Sequence, residues 1–268
     1  MLALDQIAIL LAIGLVAGCV GTFVGLGGGF IIVPLLLLVF KLEPAAVVAT
    51  SMFVILCNSI TGSFFSARQR RIDWKAGFVV SAGSVPAVIA GTLVVEHLDA
   101  GAFSLVIGVV LVFAAIMLAI QRRIRKDATG LLKGGERRSR TLRNGVNFRY
   151  HVNMPLLCAF GVVKGFFAGM TGIAGGSLLG PFFILVMGIP VTVATATTQF
   201  SIVFTSASGT AFNVFGGRIA FEYAIPMSVG VVAGALVGSR FAGKVRSDVV
   251  RWVLTIILLA VALKMLLH

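Results

Sequence analysis

Long apolar runs separated by short polar or glycine-rich punctuation make up most of this chain. Gln6–Val24, Ala45–Ala67, Ala76–Val95, Ala102–Ile120 and Val249–Leu267 each hold 19–23 residues with few or no charges. A helix rises about 1.5 Å per residue, so each run is long enough to cross the roughly 30 Å hydrocarbon layer of a bilayer. The full pattern predicts ten segments: 6–24, 30–40, 44–67, 76–96 and 101–121, then 153–170, 177–189, 191–215, 224–243 and 248–267. The expected fold class is therefore an all-α polytopic membrane protein with about 8–10 membrane segments.

The pattern occurs twice. At a constant offset of 147 positions, Pro34 meets Pro181, Gly28-Gly29 meet Gly175-Gly176, and Ala49-Thr50 meet Ala196-Thr197. In the same register Phe53 meets Phe200, Gly62 meets Gly209, and Arg71-Ile72 meet Arg218-Ile219. A composition bias scatters glycine and alanine matches, but it does not hold Pro, Phe and Arg-Ile in one register. Duplication divides the chain into a first transmembrane repeat (1–121), a basic linker (122–152) and a second repeat (153–268). In each repeat the second segment is short and follows a glycine cluster, 25–29 or 169–176. Short, glycine-interrupted segments at matching places in two halves are the best sequence pointer to a transport site.

Charge placement bears on topology. Ten of the 22 Lys and Arg lie between Arg122 and Arg149. If all ten segments cross, loops 68–75, 122–152 and 240–251 share one side and hold 18 of the 22. If the short segments do not cross, the division is 16 against 5. The tendency of cytoplasmic loops to collect Lys and Arg favours the odd count per half, which makes the repeats inverted and the linker cytoplasmic. The formal charge of +13 is thus a topology signal rather than a nucleic-acid footprint.

The apolar share of 59% and mean hydropathy of +1.08 agree with the membrane class. Cys19, Cys57 and Cys158 lie inside apolar runs with no paired spacing, so neither a disulfide framework nor a zinc site is expected. Val16-Ala17-Gly18-Cys19 loosely matches a lipoprotein cleavage box. Asp5 and the apolar residues beyond Cys19 make it a spanning helix instead. No Asp, Glu or His lies deep in a predicted segment. This leaves no material for a buried carboxylate relay, a metalloenzyme or an intramembrane protease, and no cofactor is expected.

The glycines before Phe30-Ile31-Ile32-Val33-Pro34, the Ala49-Thr50-Ser51 that follows, and the Arg71-Ile72-Asp73-Trp74 loop together resemble the TauE/SafE family, the sulfite exporter-like permeases. The second-half copies, Gly175-Gly176-Ser177 through Pro181 and Ala196-Thr197-Thr198, extend the resemblance over nearly the whole chain. It implies transport of sulfite, sulfonates or other small organic anions across a bacterial inner membrane. It also implies about eight spans from a duplicated four-span unit, against the five per half favoured by the charges. The linker is longer than the family pattern.

Candidate site residues follow from the chemistry of holding an anion in a membrane. Irregular backbone is tolerated there only where it faces protein or a watery cavity. A helix that starts after a glycine break turns bare N–H groups and a partial positive charge toward that cavity. Gly27, Gly28, Gly29 and Phe30, with Gly175, Gly176 and Ser177, are assigned to this role, whereas Gly14, Gly18, Gly161 and Gly165 are assigned to helix packing. Thr50, Ser51 and Asn58, with Thr197, Thr198 and Gln199, offer neutral hydrogen bonds. Interhelical or i−4 bonding is the plainer role for any one of them, and for Thr61, Ser206 and Asn213. Lys164, the one charge well inside a segment, has no matching cation in the first half; an intramembrane charge is a functional candidate by default. The expected function is a non-enzymatic secondary transporter of small anions. An anion channel and an assembly or sensor protein docking through its basic linker are the alternatives. The expected partners are a small anion and the lipid bilayer, with no metal.

Overall fold

The computed structural model describes residues 4–123, 135–143, 145–173, 175–241 and 247–266. Its helices are Leu4–Val24 (α1), Gly29–Leu38 (α2), Pro44–Arg68 (α3), Trp74–Val95 (α4), Ala100–Arg123 (α5), Met154–Thr171 (α6), Gly176–Pro181 (α7), Val191–Phe215 (α8), Phe221–Phe241 (α9) and Ser247–Leu266 (α10). Helix α7 runs on into a π-helical turn, Phe182–Val186, which α2 lacks. The 147-position register recurs in the boundaries. Helices α3 and α8 begin and end 147 positions apart, and so do the starts of α2 and α7, α4 and α9, and α5 and α10.

Among the described residues, six helices are long and apolar enough to cross a membrane. Helix α8 equals α3 in length but carries more hydroxyl and amide side chains, most of them buried. Ile9, Val16, Phe64, Phe78, Val109, Val163 and Val229 are exposed on the outer faces. Apolar surface outside and polar groups inside is what a bilayer solvent selects. The protein is an all-α polytopic membrane protein, as the apolar runs predict.

Packing exchanges elements between the halves. Helix α1 runs along α9 in the same direction, with Gly230 against Leu11, Gly234 against Leu15 and Gly238 against Cys19. Helix α4 runs along α6 in the same way, with Gly83 against Cys158 and Gly91 against Phe166. The two central helices run oppositely: Gly62 of α3 meets Gln199 of α8, and Met52 meets Gly209. Helices α5 and α10 are also antiparallel, since Ser104 donates to the Met265 carbonyl at 2.8 Å while Gly108 lies by Ala262 and Leu266. The packing glycines do what their spacing predicts. A Cβ on Gly161 would overlap the Val80 carbonyl oxygen, and one on Gly165 that of Ser84. The backbones touch, so even alanine forces α4 and α6 apart.

Part of the linker is ordered secondary structure, which the sequence reading does not anticipate. Strands Glu136–Thr141 (β1) and Asn147–Val152 (β2) pair antiparallel, Glu136 opposite Val152 and Thr141 opposite Asn147. The hairpin clasps the α3–α4 loop. Arg138 and the Tyr150 hydroxyl donate to the Asp73 carboxylate at 2.6 and 2.8 Å, Arg140 donates to the Ile72 carbonyl, and the Arg143 N–H reaches the Gln69 carbonyl at 3.4 Å. Linker residues 124–134 and residues 242–246, with the expected loop cations Lys244 and Arg246, lie outside the described residues.

Candidate functional site

The two glycine breaks meet. Gly28 (φ 87°) and Gly175 (φ 65°) hold the left-handed conformation at the N-termini of α2 and α7, which side chains with a Cβ rarely adopt. Next to them, a Cβ on Gly29 would lie 2.9 Å from Ile173 Cα, and one on Gly176 would lie 2.8 Å from the Leu26 carbonyl oxygen. Each break therefore abuts the chain just before the other helix. Ile202 of α8 seals the junction, touching the space beside both Gly27 and Gly176. Among the described residues, no backbone hydrogen bond uses the N–H of Gly29 or Phe30. These are the orphan donors expected of a helix start. Phe30 and Ser177 are buried beside the junction. Ala174, inside the second cluster, lies outside the described residues.

Side chains from α3 and α8 close the junction on both sides. Asn58 donates to the Gly27 carbonyl at 2.8 Å and accepts from Thr22 at 2.9 Å. Ser51 donates to the carbonyl of Gly172, the left-handed residue ending α6, at 3.0 Å. Its repeat mate Thr198 is buried with no partner for its hydroxyl. Thr50 and Thr197 are not turned to the breaks. Thr50 Oγ1 accepts the Ala220 N–H at 3.1 Å and Thr197 Oγ1 accepts the Asp73 N–H at 3.0 Å. Ala220 and Asp73 are themselves repeat mates, so each threonine anchors the loop leading into the other half's fourth helix. Thr61, Ser206 and Asn213 bond the i−4 carbonyls of Cys57, Ile202 and Gly209, the plainer of their two roles.

Lys164 is 0% exposed, and Nζ donates to Ser201 Oγ at 2.5 Å and Thr205 Oγ1 at 2.9 Å. No carboxylate neighbours it among the described residues. Its stem runs directly beneath the second break, where a Cβ on Gly175 would lie 2.5 Å from Lys164 Cγ. In the first half the matching position is Ala17; Gly28 packs on that residue's carbonyl as Gly175 packs on that of Lys164, but no long side chain lies beside it. The duplicated frame is thus made asymmetric by one cation. Residues 199–205 of α8 serve every part of the site: Ile202 at the junction, Ser201 and Thr205 on Lys164, and Gln199 in a cavity toward the hairpin end.

That cavity, of about 40 Å³, lies among Thr22, Gly62, Ser66, Gln69, Arg71, Thr195 and Gln199. Both polar atoms of the Gln199 amide are buried without a partner. The sequence marks Gln199 as a candidate, whereas Arg71 stands out in it only through the repeat register and the loop motif of the family resemblance. The available signal was the acid that Arg71 lacks, since Arg218 pairs with Glu96 at 2.5 Å while the residue 147 positions after Glu96 is Gly243.

The clasp beside this cavity has its own electrostatics. Burial pushes the Asp73 carboxyl upward. Hydrogen bonds from Arg138, Tyr150 and the Ala76 N–H, with the Arg138 charge, outweigh that and hold it below the usual aspartate value. Burial and the Asp73 charge push the Tyr150 phenol up, so it stays a donor.

A helical membrane protein whose most polar helices are among its most buried, crossed where two glycine breaks touch, has the build of a membrane transporter. The pattern of the family described as sulfite exporter TauE/SafE matches residues 10–265, and the chain belongs to that family. It is 27% identical to the probable membrane transporter protein YunE of Bacillus subtilis over 96% of both chains. A probable membrane transporter protein of Methanocaldococcus jannaschii is 29% identical over 97% of this chain and 95% of its own. The probable membrane transporter protein YfcA of Escherichia coli is 21% identical over 97% and 89%. No solved structure matches.

Proposed function

We propose that this membrane transporter is a secondary carrier of small anions such as sulfite, sulfonates or related organic acids, and that it runs chiefly outward across the bacterial inner membrane. The observation that carries the reading is the meeting of the two glycine breaks over a fully buried lysine with no carboxylate beside it. Two helix ends, each contributing roughly half a positive charge, and one amine make an interior that suits an anion and repels a cation. Export of an anion needs no coupling ion when the inside is negative, because the potential supplies about 2.3 kcal/mol per charge per 100 mV. The family description, sulfite exporter, supports both substrate class and direction.

The halves are inverted in this reading, with the hairpin in the cytoplasm. The antiparallel α3/α8 and α5/α10 pairs support it, because equivalent helices that run oppositely are related by an axis in the membrane plane. The concentration of Lys and Arg at the hairpin end supports the orientation. Docking of a partner through the linker fits less well, since Arg138 and Arg140 are already engaged by the chain's own loop. Purified protein in liposomes tests the function: counter-transport-sensitive, saturable flux of sulfite or a sulfonate supports a carrier. Flux that rises linearly with concentration indicates a channel, and flux equal to that of empty liposomes contradicts the reading.

A further inference from the structure

We propose that Arg71 and Gln199 form an oxyanion docking site at the hairpin-side mouth, one step before the glycine breaks. The inference deepens the transport reading and takes its physiological ligand from it.

The site is built, not merely basic. The Gln199 side chain is 2% exposed, and neither its carbonyl nor its amide nitrogen has a partner. An amide left so carries an uncompensated desolvation cost that the fold would avoid with an apolar residue. The first repeat does so: the residue in register with Gln199 is Met52, and its sulfur fills the space beside Gly209. In the mirrored place the Gln199 side chain packs on Gly62 of α3, where a Cβ would lie 2.6 Å from Nε2, so the same space holds an amide in place of a thioether.

Arg71 completes the arrangement. It lines the same cavity and has no acid partner among the described residues, whereas its repeat mate Arg218 is neutralised by Glu96 at 2.5 Å. Burial lowers the Arg71 guanidinium from its ordinary value, as expected of a cation whose desolvation nothing offsets, yet a guanidinium stays charged throughout the physiological range. A polar, uncompensated arrangement at one mouth therefore faces a neutralised one at the other. The hairpin fixes the first: Arg140 holds the Ile72 carbonyl next to Arg71, and the Arg143 N–H holds that of Gln69.

The ligand class follows from the donors. A planar guanidinium fork and an amide NH2 fit the oxygens of a sulfite, sulfonate or carboxylate group. A cavity of about 40 Å³ has room for roughly three water-sized groups, enough for such a head group but not for a bulky body. From it, Thr22 leads to Asn58 and Asn58 to the Gly27 carbonyl, so an anion released inward passes directly to the first break.

The test is calorimetric titration of the purified full-length protein with sulfite and with methanesulfonate. It compares wild type with Arg71→Gln, Arg71→Lys, Gln199→Met and the control Arg218→Gln. Arg71→Gln is expected to weaken binding of both anions at least tenfold, Arg71→Lys less, and Gln199→Met about threefold, with Arg218→Gln within twofold of wild type. Gln199→Met restores the side chain the first repeat already accommodates, so it keeps the test open if Arg71→Gln misfolds. Wild-type protein that binds neither anion, or an Arg71→Gln protein that binds both as tightly as wild type, overturns the site. Binding that depends on Arg71 in a protein that carries no anion across liposomes would instead sink the transport reading and leave the site standing.

Discussion

Replacing Lys164 by methionine removes one amine from the centre of the protein and changes little else. The methionine keeps an unbranched stem beneath Gly175, where Lys164 Cγ now packs. Thr205 Oγ1 also donates to the Ser201 carbonyl at 3.1 Å and meets Ser84 Oγ at 3.1 Å, so it retains partners when Nζ is gone. The expected cost to stability is small, about 1 kcal/mol, because no acid is left unpaired and the partner lost by the buried Ser201 hydroxyl is offset by removing a desolvated amine. Transport should respond differently. A hydrogen bond between a charged group and an anion is worth about 1.5–3 kcal/mol, which corresponds to a roughly 10- to 150-fold rise in half-saturation concentration. The assay pairs initial rates of sulfite flux into proteoliposomes with thermal unfolding of the same preparation. A Lys164→Met protein of wild-type stability whose half-saturation is unchanged refutes the reasoning and makes Lys164 a packing residue.

Three further outcomes are expected. Gly28→Val and Gly175→Val should each abolish flux, since valine at positive φ costs more than about 1–2 kcal/mol and its Cβ would lie 2.7 Å from the Ala17 carbonyl or 2.5 Å from Lys164 Cγ; normal flux in both would exclude a site at the breaks. Asp73→Asn should loosen the hairpin by about 1–3 kcal/mol, read as faster hydrogen exchange in 136–152. Because the Asp73 value is depressed, its contribution is complete above the ordinary aspartate range and lost only as pH falls through the lower folded value. Hairpin protection should therefore be flat from about pH 5 to 9 and decline below about pH 4; a transition near neutrality would contradict this. Single cysteines at Gly101 and Gly217, with Cys19, Cys57 and Cys158 replaced, should label from the periplasm and one at Arg70 should not, whereas labelling of Gly217 and Arg70 from one side would mean parallel halves.

The helices were legible because membrane burial leaves a coarse mark, and a duplicated chain states each boundary twice. The predicted 191–215 segment is α8 to the residue, and 44–67 is α3 short of one. The glycine junction was legible for the same reason, since the break recurs at one register. The hairpin is hidden in the sequence because its charge density masks a strand alternation: Phe148, Tyr150 and Val152 point inward while Asn147, Arg149 and His151 are exposed. The anchoring of Ala220 by Thr50 and of Asp73 by Thr197 joins residues more than a hundred positions apart, which no local pattern encodes. Nor could the sequence reveal that Gly161 touches backbone, so that Gly161→Ala, which a packing face alone would tolerate, overlaps the Val80 carbonyl.

The central claim, carriage of small anions through an interior that uses helix ends and Lys164, is tested most directly by flux under an imposed potential. Proteoliposomes loaded with sulfite or a sulfonate and given an inside-negative potassium diffusion potential should release the anion saturably. The release should quicken as the potential becomes more negative, and it should be nearly absent with Gly175→Val. Release no faster than from protein-free liposomes, for every small anion tried, would contradict the account.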